Sequence, residues 1–426
     1  MYILQDTTAI LFNYSDQATI YKALNALKSI DANLKSIIVL QSQKMPPVIW
    51  FKKLKVMTQS NNDYGQLLNE IISQLKTPYV LFLHDTDYLS PTVQPDSLKL
   101  PDKKSVLGTF HHSRNIVIHH PVLVRTSLLK KEPFLLINQL PFQEALLPAW
   151  LANVESQQQV IKENLIRKSR INRSVNTLQK ERIMEKYYLK KSDMQQYKTI
   201  SVLISTYNME QYLETAIFSC LLQNEPFDQI LIMDDGSTDN THQQLKRLEK
   251  EKRVNVFRKK NAGKARALNE LLPHVTSDFI LELDADDWLD PDACSVIKKH
   301  LSDLPEEVAV LYGNFKKWKQ TDRGVLFKKV AKGVAIRETA DLLSYRFPLG
   351  PRVYRTSMLK KEGGFPVIAF EDGRLYEDVS VLNRLLKKYP FRYKDFTVYN
   401  VREHHASITK NNDSKWQDFL NILKSQ

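Results

Sequence analysis

Five segments in the second half of the chain carry side chains that can do chemistry together. The first two are Ser205-Thr206-Tyr207-Asn208 and Asp234-Asp235-Gly236-Ser237-Thr238-Asp239. A carboxylate at a strand end can accept hydrogen bonds from a nucleobase N–H or from ribose hydroxyls, and a Gly-Ser-Thr turn lets the backbone approach closely. Taken alone, an Asp-Asp-Gly-Ser segment is also a plain turn with a helix cap. The third segment, Asn261-Ala262-Gly263-Lys264-Ala265-Arg266-Ala267-Leu268-Asn269, starts a helix near Gly263. Backbone N–H groups and the charges of Lys264 and Arg266 make an anion welcome there, although basic residues early in a helix are commonly just solvated. The fourth, Asp284-Ala285-Asp286-Asp287, follows an apolar run directly. Carboxylates gathered at one strand end repel one another unless a cation sits between them, and hard oxygen ligands select Mg²⁺ or Mn²⁺ over zinc. The fifth combines Tyr376-Glu377-Asp378 with Arg402-Glu403-His404-His405. The acidic pair either complements a helix dipole or projects a general base into a cleft, and His404 suits a third metal ligand.

The elements that position these groups follow the pattern of an α/β fold. Ile200 to Ser205, Gln229 to Met233 and Phe279 to Leu283 are apolar runs of strand length, each ending at one of the polar segments. Carboxylates thus fall at the C-terminal ends of strands, where open α/β sheets bind ligands. A helix is expected from near Met209, with Leu213, Ala216, Ile217, Cys220 and Leu221 on one buried stripe. Asp239 or Asn240 caps the next helix, which turns Leu245 and Leu248 inward. Asp290-Pro291 reads as a capped helix start with proline at its first position.

The first 150 residues alternate in the same way, through Ala9–Phe12, Ile37–Leu40 and Tyr79–Leu83. Between them and residue 198 lies a glutamine- and lysine-rich stretch, 151–197, without Gly or Pro, which reads as one or two linker helices. From Arg167 to Lys191 it holds nine basic and two acidic residues. This is either a solvated helix face or a contact for a membrane surface or an acidic polymer.

Composition sets wider bounds. With 426 residues, 42% hydrophobic and 26% charged, the chain suits two soluble domains. No apolar run reaches the ~20 residues of a membrane-spanning helix. Met1 leads straight into polar residues, so no leader peptide is expected. Two cysteines at no metal-ligand spacing predict a reducing, cytoplasmic setting. The net charge of +13 suggests an anionic partner, but no zinc finger, RNP or P-loop pattern favours nucleic acid.

The chain also contains an internal repeat. Leu81 to Pro91 mirrors Leu281 to Pro291, and the same offset places Asn61 against Asn261 and Asn69 against Asn269. Val124 to Glu132 mirrors Tyr354 to Glu362. Two matches in the same order read as two tandem copies of one fold. The first copy has lost most of the polar equipment. Gln41 and Ser42 stand against Asp234 and Asp235, Gln66 against Arg266, and His84 and Thr86 against Asp284 and Asp286. Asp87 keeps its counterpart, Gln143-Glu144 aligns roughly with Glu377-Asp378, and nothing matches His404. A catalytically silent first domain is expected. The alternative, a metal motif Asp85-x-Asp87 shifted by one residue, meets the objection that one step along a strand end reverses the face.

The order of the five segments, over about 210 residues, resembles family 2 glycosyltransferases of the GT-A fold. The resemblance implies that Thr206, Tyr207 and Asp235, assisted by Asp234, hold the base and ribose of a nucleotide, uridine first. It implies that Arg266 and Lys264 face the diphosphate. Asp284 and Asp286 match the Asp-x-Asp motif and, with His404, would hold Mn²⁺ or Mg²⁺. Asp378 matches the catalytic base of inverting members, and Phe365 after Gly363-Gly364 the loop flanking the acceptor. The implied activity is inverting, metal-dependent hexosyl transfer from a UDP-sugar to a saccharide, lipid-linked or protein acceptor, in the synthesis of bacterial cell-surface or spore-surface polysaccharide. In size and layout the chain loosely resembles spore-maturation glycosyltransferases of bacilli. That would suit a cytoplasmic protein, possible as a homodimer, peripheral to a membrane or to the forming spore surface. The competing reading is a non-catalytic carbohydrate- or nucleotide-binding scaffold.

Overall fold

The computed structural model describes residues 5–42, 53–59, 63–169, 174–189, 198–322, 324–344, 349–368, 370–405 and 415–425. The chain divides into two units, Met1–Tyr188 and Leu189–Gln426. Each is α/β and built on a large mixed sheet.

In the first unit the strands are β1 (Thr7–Phe12), β2 (Leu34–Ser42), β3 (Leu54–Gln59), β4 (Tyr79–His84), β5 (Asp87–Leu89), β6 (Val106–Ser113), β7 (Ile116–Arg125), β8 (Gln159–Ile161) and β9 (Ile166–Lys168). Among the described residues seven of them form one sheet, ordered β3-β2-β1-β4-β7-β6-β8, and β5 pairs with β9. β1 is buried along its whole length between parallel neighbours β2 and β4, which is why its sequence runs Ala-Ile-Leu-Phe without polar interruption. The expected linker at 151–197 is corrected over its described part. Residues 159–161 and 166–168 are strands and Val175–Lys186 is a helix of the first unit. Part of the basic charge there also turns inward: Lys180 is buried against Glu144 at 2.8 Å, so the stretch is not simply a solvated face.

In the second unit the strands are β10 (Ile200–Thr206), β11 (Gln229–Asp234), β12 (Val254–Arg258), β13 (Phe279–Glu282), β14 (Trp288–Leu289), β15 (Val310–Thr321), β16 (Gly324–Ala331), β17 (Arg352–Arg355) and β18 (Phe391–Glu403). Their order is β12-β11-β10-β13-β17-β15-β18-β14, with β16 on β15. Strand side chains alternate between faces, so Ile200, Val202 and Ile204 enter one core and Leu203 the other. Helices cover both. Leu213, Ala216, Ile217 and Cys220 are fully buried as expected, whereas Leu221 is half-buried. That helix begins at Leu213, because Met209–Tyr212 close a separate turn. The helix expected at Asp290-Pro291 starts later, at Ala293; Asp290 is drawn into the core by Lys316 and Asn400.

The two sheets run in the same order by position, and particular contacts recur. Asn69 grips Phe134, donating to its carbonyl at 2.9 Å and accepting from its N–H at 2.8 Å. Asn269 does the same to Phe365, both at 2.7 Å. Lys130 reaches the Leu75 carbonyl at 2.9 Å and Lys360 the Val275 carbonyl at 2.8 Å. Asn61, paired by sequence with Asn261, lies outside the described residues.

The grip on Phe365 needs Gly364. Its φ is +74°, and a Cβ there would sit 2.4 Å from Asn269 Oδ1 and 2.6 Å from Leu272 Cδ1. Gly364→Ala is therefore expected to destabilise the second unit by more than about 1 kcal/mol, from the left-handed backbone and the clash together. Denaturant unfolding with an unchanged midpoint would refute this.

Candidate active site

The C-terminal ends of β10, β11 and β13 carry the expected polar residues. Thr206 ends β10, buried, with its hydroxyl unpaired among the described residues, while the next side chain, Tyr207, is 45% exposed. Asp234 ends β11. It is fully buried, accepts from the Ser237 N–H at 2.8 Å and lies 3.3 Å from Arg258 Nε. Asp235 turns the other way and accepts from the N–H groups of Ala262 at 3.0 Å and Gly263 at 2.7 Å. Those amides stand just ahead of the helix Lys264–Leu271. The anion they receive is therefore Asp235 itself. In this arrangement the carboxylate shapes the loop expected to meet a diphosphate, rather than standing free for a ribose.

The basic residues of that helix are also engaged. Lys264 Nζ lies among three carboxylates: Asp284, Glu282 at 2.9 Å and Glu377 at 3.1 Å. Arg266 donates to the carbonyls of Ala262 and Asp372 and pairs with the Asp372 carboxylate at 3.1 Å. Both were expected to face a diphosphate; each is held by acidic or carbonyl oxygens of its own chain.

The centre of the site is a residue that the sequence reading missed. Arg352, at the start of β17, is buried opposite Glu282 in the antiparallel β13–β17 pairing. Its Nε and Nη2 donate to the two Glu282 oxygens, both at 3.0 Å, a bidentate match of guanidinium to carboxylate. The same guanidinium reaches Asp284 at 3.3 Å and Asp378 at 3.4 Å. Arg352 thus joins the end of β13 to the start of the helix Glu377–Leu386. That helix is entered through Tyr376, whose φ is +59° and whose ring packs on Phe419 of the C-terminal helix Trp416–Ser425. Burial works to raise the Glu282 and Asp284 carboxyls. Arg352 and Lys264 outweigh it for Glu282, and Lys264 and Arg352 for Asp284, holding both below the usual carboxylate range.

Two residues on from Asp284, Asp286 faces His404, carboxylate to imidazole at 3.0 Å. Arg402 fastens this corner, donating from its backbone to the Asp287 carboxylate and from Nε to the Asp286 carbonyl, each at 2.8 Å. Burial first, then the charges of Asp286 and Asp284, push Asp287 well above its usual range. The expected metal set of Asp284, Asp286 and His404 is only partly assembled. Asp286 and His404 meet, but Asp284 is held by Lys264 and Arg352, and the three donor groups do not all lie within 4.8 Å of one another. The two carboxylates are of the oxygen donor type that Mn²⁺ and Mg²⁺ favour, and His404 adds one imidazole nitrogen.

At the corresponding end of the first unit, the charged cluster is absent from the described residues. Tyr64, Phe82 and Val122 stand at the offsets of Lys264, Glu282 and Arg352, with Tyr64 packed on Phe12. In their place lie His84, Asp87, His111 and His120, beside a cavity of about 60 Å³. Burial pushes the His120 imidazole down to about 3.

Residues 201–362 match the family model for glycosyl transferase family 2. A glycosyltransferase of Streptococcus pneumoniae serotype 4, GlyA, is 26% identical over 238 residues, 52% of this chain and 33% of that protein. A poly-β-1,6-N-acetyl-D-glucosamine synthase of Staphylococcus epidermidis is 35% identical over 115 residues, 27% of this chain and 28% of that protein. The chain therefore spans about a third or less of the length of these relatives. Among solved structures, residues 1–349 of S. aureus TarS superpose with a TM-score of 0.38 at 25% identity, over 48% of this chain and 60% of that one. Glu282, Asp284 and Arg352 lie inside the matched segment, and Asp378 and His404 follow it. Residues 201–362 of the second unit are thus similar to the glycosyl transferase family 2 domain.

Proposed function

We propose that the second unit is a GT-A domain that transfers a sugar, with inversion, from a UDP-sugar to a hydroxyl acceptor. The observation that carries this reading is the bridge at Arg352, which brings the Asp378 carboxylate and the strand-end Asp284 onto one guanidinium at 3.4 and 3.3 Å. A base and a donor-side group are thereby held at a fixed separation, which is the positioning that a displacement requires. The acceptor oxygen attacks the anomeric carbon, its proton passes to Asp378, and the bond to the nucleoside diphosphate breaks with its electron pair leaving on the diphosphate oxygen. One in-line displacement inverts the configuration. Thr206, Tyr207 and Asp234 border the nucleotide, and Asp235 fixes the loop 261–263 beside it. Asp284, Asp286 and His404 would hold a Mn²⁺ or Mg²⁺ ion, which supplies neutralisation of the charge that grows on the leaving diphosphate.

The first unit is, in this reading, a second copy of the fold with its transfer chemistry lost. The shared strand order and the paired grips of Asn69 on Phe134 and Asn269 on Phe365 support it. Its role is then scaffolding, pairing or acceptor binding. The relative named for poly-β-1,6-N-acetylglucosamine synthesis makes a saccharide the first acceptor to try.

A screen of UDP-, dTDP- and GDP-sugars, with and without Mn²⁺, tests the proposal through donor hydrolysis and thermal stabilisation. UDP-sugars are expected to raise the melting temperature and to be hydrolysed only when the ion is present, since binding at 100 times Kd adds about 2.7 kcal/mol. Stabilisation without any turnover in the presence of acceptors would favour a binding scaffold. No response to any nucleotide sugar would overturn both.

A further inference from the structure

We propose that the first unit binds one divalent transition-metal ion through His84, Asp87 and His120. The three come from separate places in the chain: the end of β4, the start of β5 and the middle of β7. One donor atom from each nevertheless lies within 4.8 Å of the others. An ion about 2.1 Å from each donor asks for donors roughly 3.4 Å apart, which small rotations of the side chains supply.

A second observation is independent of that clustering. His120 is 1% exposed, and neither of its ring nitrogens has a hydrogen-bond partner among the described residues. Leaving a polar group buried and unpaired is costly, so such groups call for a ligand, ion or water. Asp87 is 0% exposed; its two oxygens lie 2.7 Å from His84 Nδ1 and 3.6 Å from Lys168 Nζ. Lys168 is the group that competes with a cation here, and it has Asp85 as another partner at 3.4 Å. Asp87 can therefore pass from the ammonium to an ion without stranding either charge. The adjoining cavity of about 60 Å³ has room for an ion and its waters, and is far smaller than the several hundred Å³ of a site for a nucleotide sugar.

The donor types select the ion. Two imidazoles and one carboxylate suit Zn²⁺ and its first-row neighbours, whereas Mg²⁺ prefers oxygen throughout. Nor does the site simply continue the pattern of the second unit. His84 stands at the offset of Asp284, but the offset of His120 falls on Gly350, which has no side chain to offer. The proposal goes beyond the transferase reading and does not depend on it.

The test uses the full chain, stripped with a chelator and titrated with Zn²⁺ and with Co²⁺. Asp286→Ala with His404→Ala removes two of the three candidate donors of the second unit and leaves the first intact. This double variant is expected to hold one Zn²⁺ per chain and to give the d–d absorption of Co²⁺ bound by imidazole. Adding His120→Gln or, separately, His84→Gln should lower Zn²⁺ affinity by at least about 100-fold, more than loss of a neighbour that only orients a ligand. Circular dichroism shows whether each variant is folded. If the double variant holds no Zn²⁺ and gives only the spectrum of aqueous Co²⁺, the proposal fails whatever the other variants do. Full affinity retained in both histidine variants would also overturn it.

Discussion

Replacing Asp378 by Asn is expected to lower sugar transfer by about 10²–10⁴-fold, while the affinity for the donor stays within a few-fold of the parent. The substitution keeps shape and one acceptor oxygen. Asp378 Oδ1 accepts the Val379 N–H at 2.8 Å, which stabilises the first turn of the helix, and an amide oxygen can do the same. Oδ2 is the atom that differs. It lies 3.4 Å from Arg352, and in the amide it becomes an NH₂ that neither accepts a proton nor pairs with a guanidinium. The measurement is turnover with the donor found in the screen, beside a binding isotherm for the same donor. Turnover unchanged in the variant removes Asp378 from the base role. An equal fall in turnover and in donor affinity would instead make it a binding residue.

Arg352→Met should cost about 3–5 kcal/mol of stability, because it leaves Glu282 as a buried charge with one cation in place of two. Glu282 is 1% exposed and also accepts from the Tyr354 hydroxyl at 3.0 Å. Lys264 remains at 2.9 Å, but Asp284 and Glu377 share it. At roughly 2–4 °C per kcal/mol, the melting temperature of the second unit should fall by about 6–20 °C. Arg352→Lys is not a safe substitute, since one ammonium cannot make the bidentate contact or span the reach to Asp284 and Asp378. The informative comparison is the double variant Glu282→Gln with Arg352→Met. Removing both charges together is expected to recover much of the loss, as buried pairs are often neutral when replaced as a unit. A single variant within 1 kcal/mol of the parent would mean that Lys264 alone suffices for Glu282.

How much of this was legible in the sequence differs from residue to residue. Asp234, Asp284 and Asp286 could be placed because an apolar strand buried on both faces must end where the first carboxylates appear, and β11 and β13 do. The likeness of the two units was legible from Asn69 and Asn269, and both asparagines make the same bonds. Arg352 was not, because its role comes from strand register. Glu282 and Arg352 face each other only once β13 and β17 pair antiparallel across 70 residues of chain. One signal was available, namely that both positions turn apolar together at Phe82 and Val122. The strands β8 and β9 were missed for a different reason: three residues are too few to show a two-residue period. His120 went unremarked because it lies outside either matched segment of the repeat.

Lys264 gives the second unit a counter-ion that it cannot lose. Part of the negative charge at the strand ends is offset by a tethered ammonium placed among Glu282, Asp284 and Glu377, and Arg352 offsets more of it. In the transferase reading proposed above, a donor arriving with its own cation would meet an exchange reaction rather than an open ring of negative charge. On that reading the ammonium would give up Asp284 to the ion and turn towards the incoming phosphates. On the same reading, selectivity for the donor would reside partly in that exchange, since a ligand lacking either the ion or the phosphates completes only half of it.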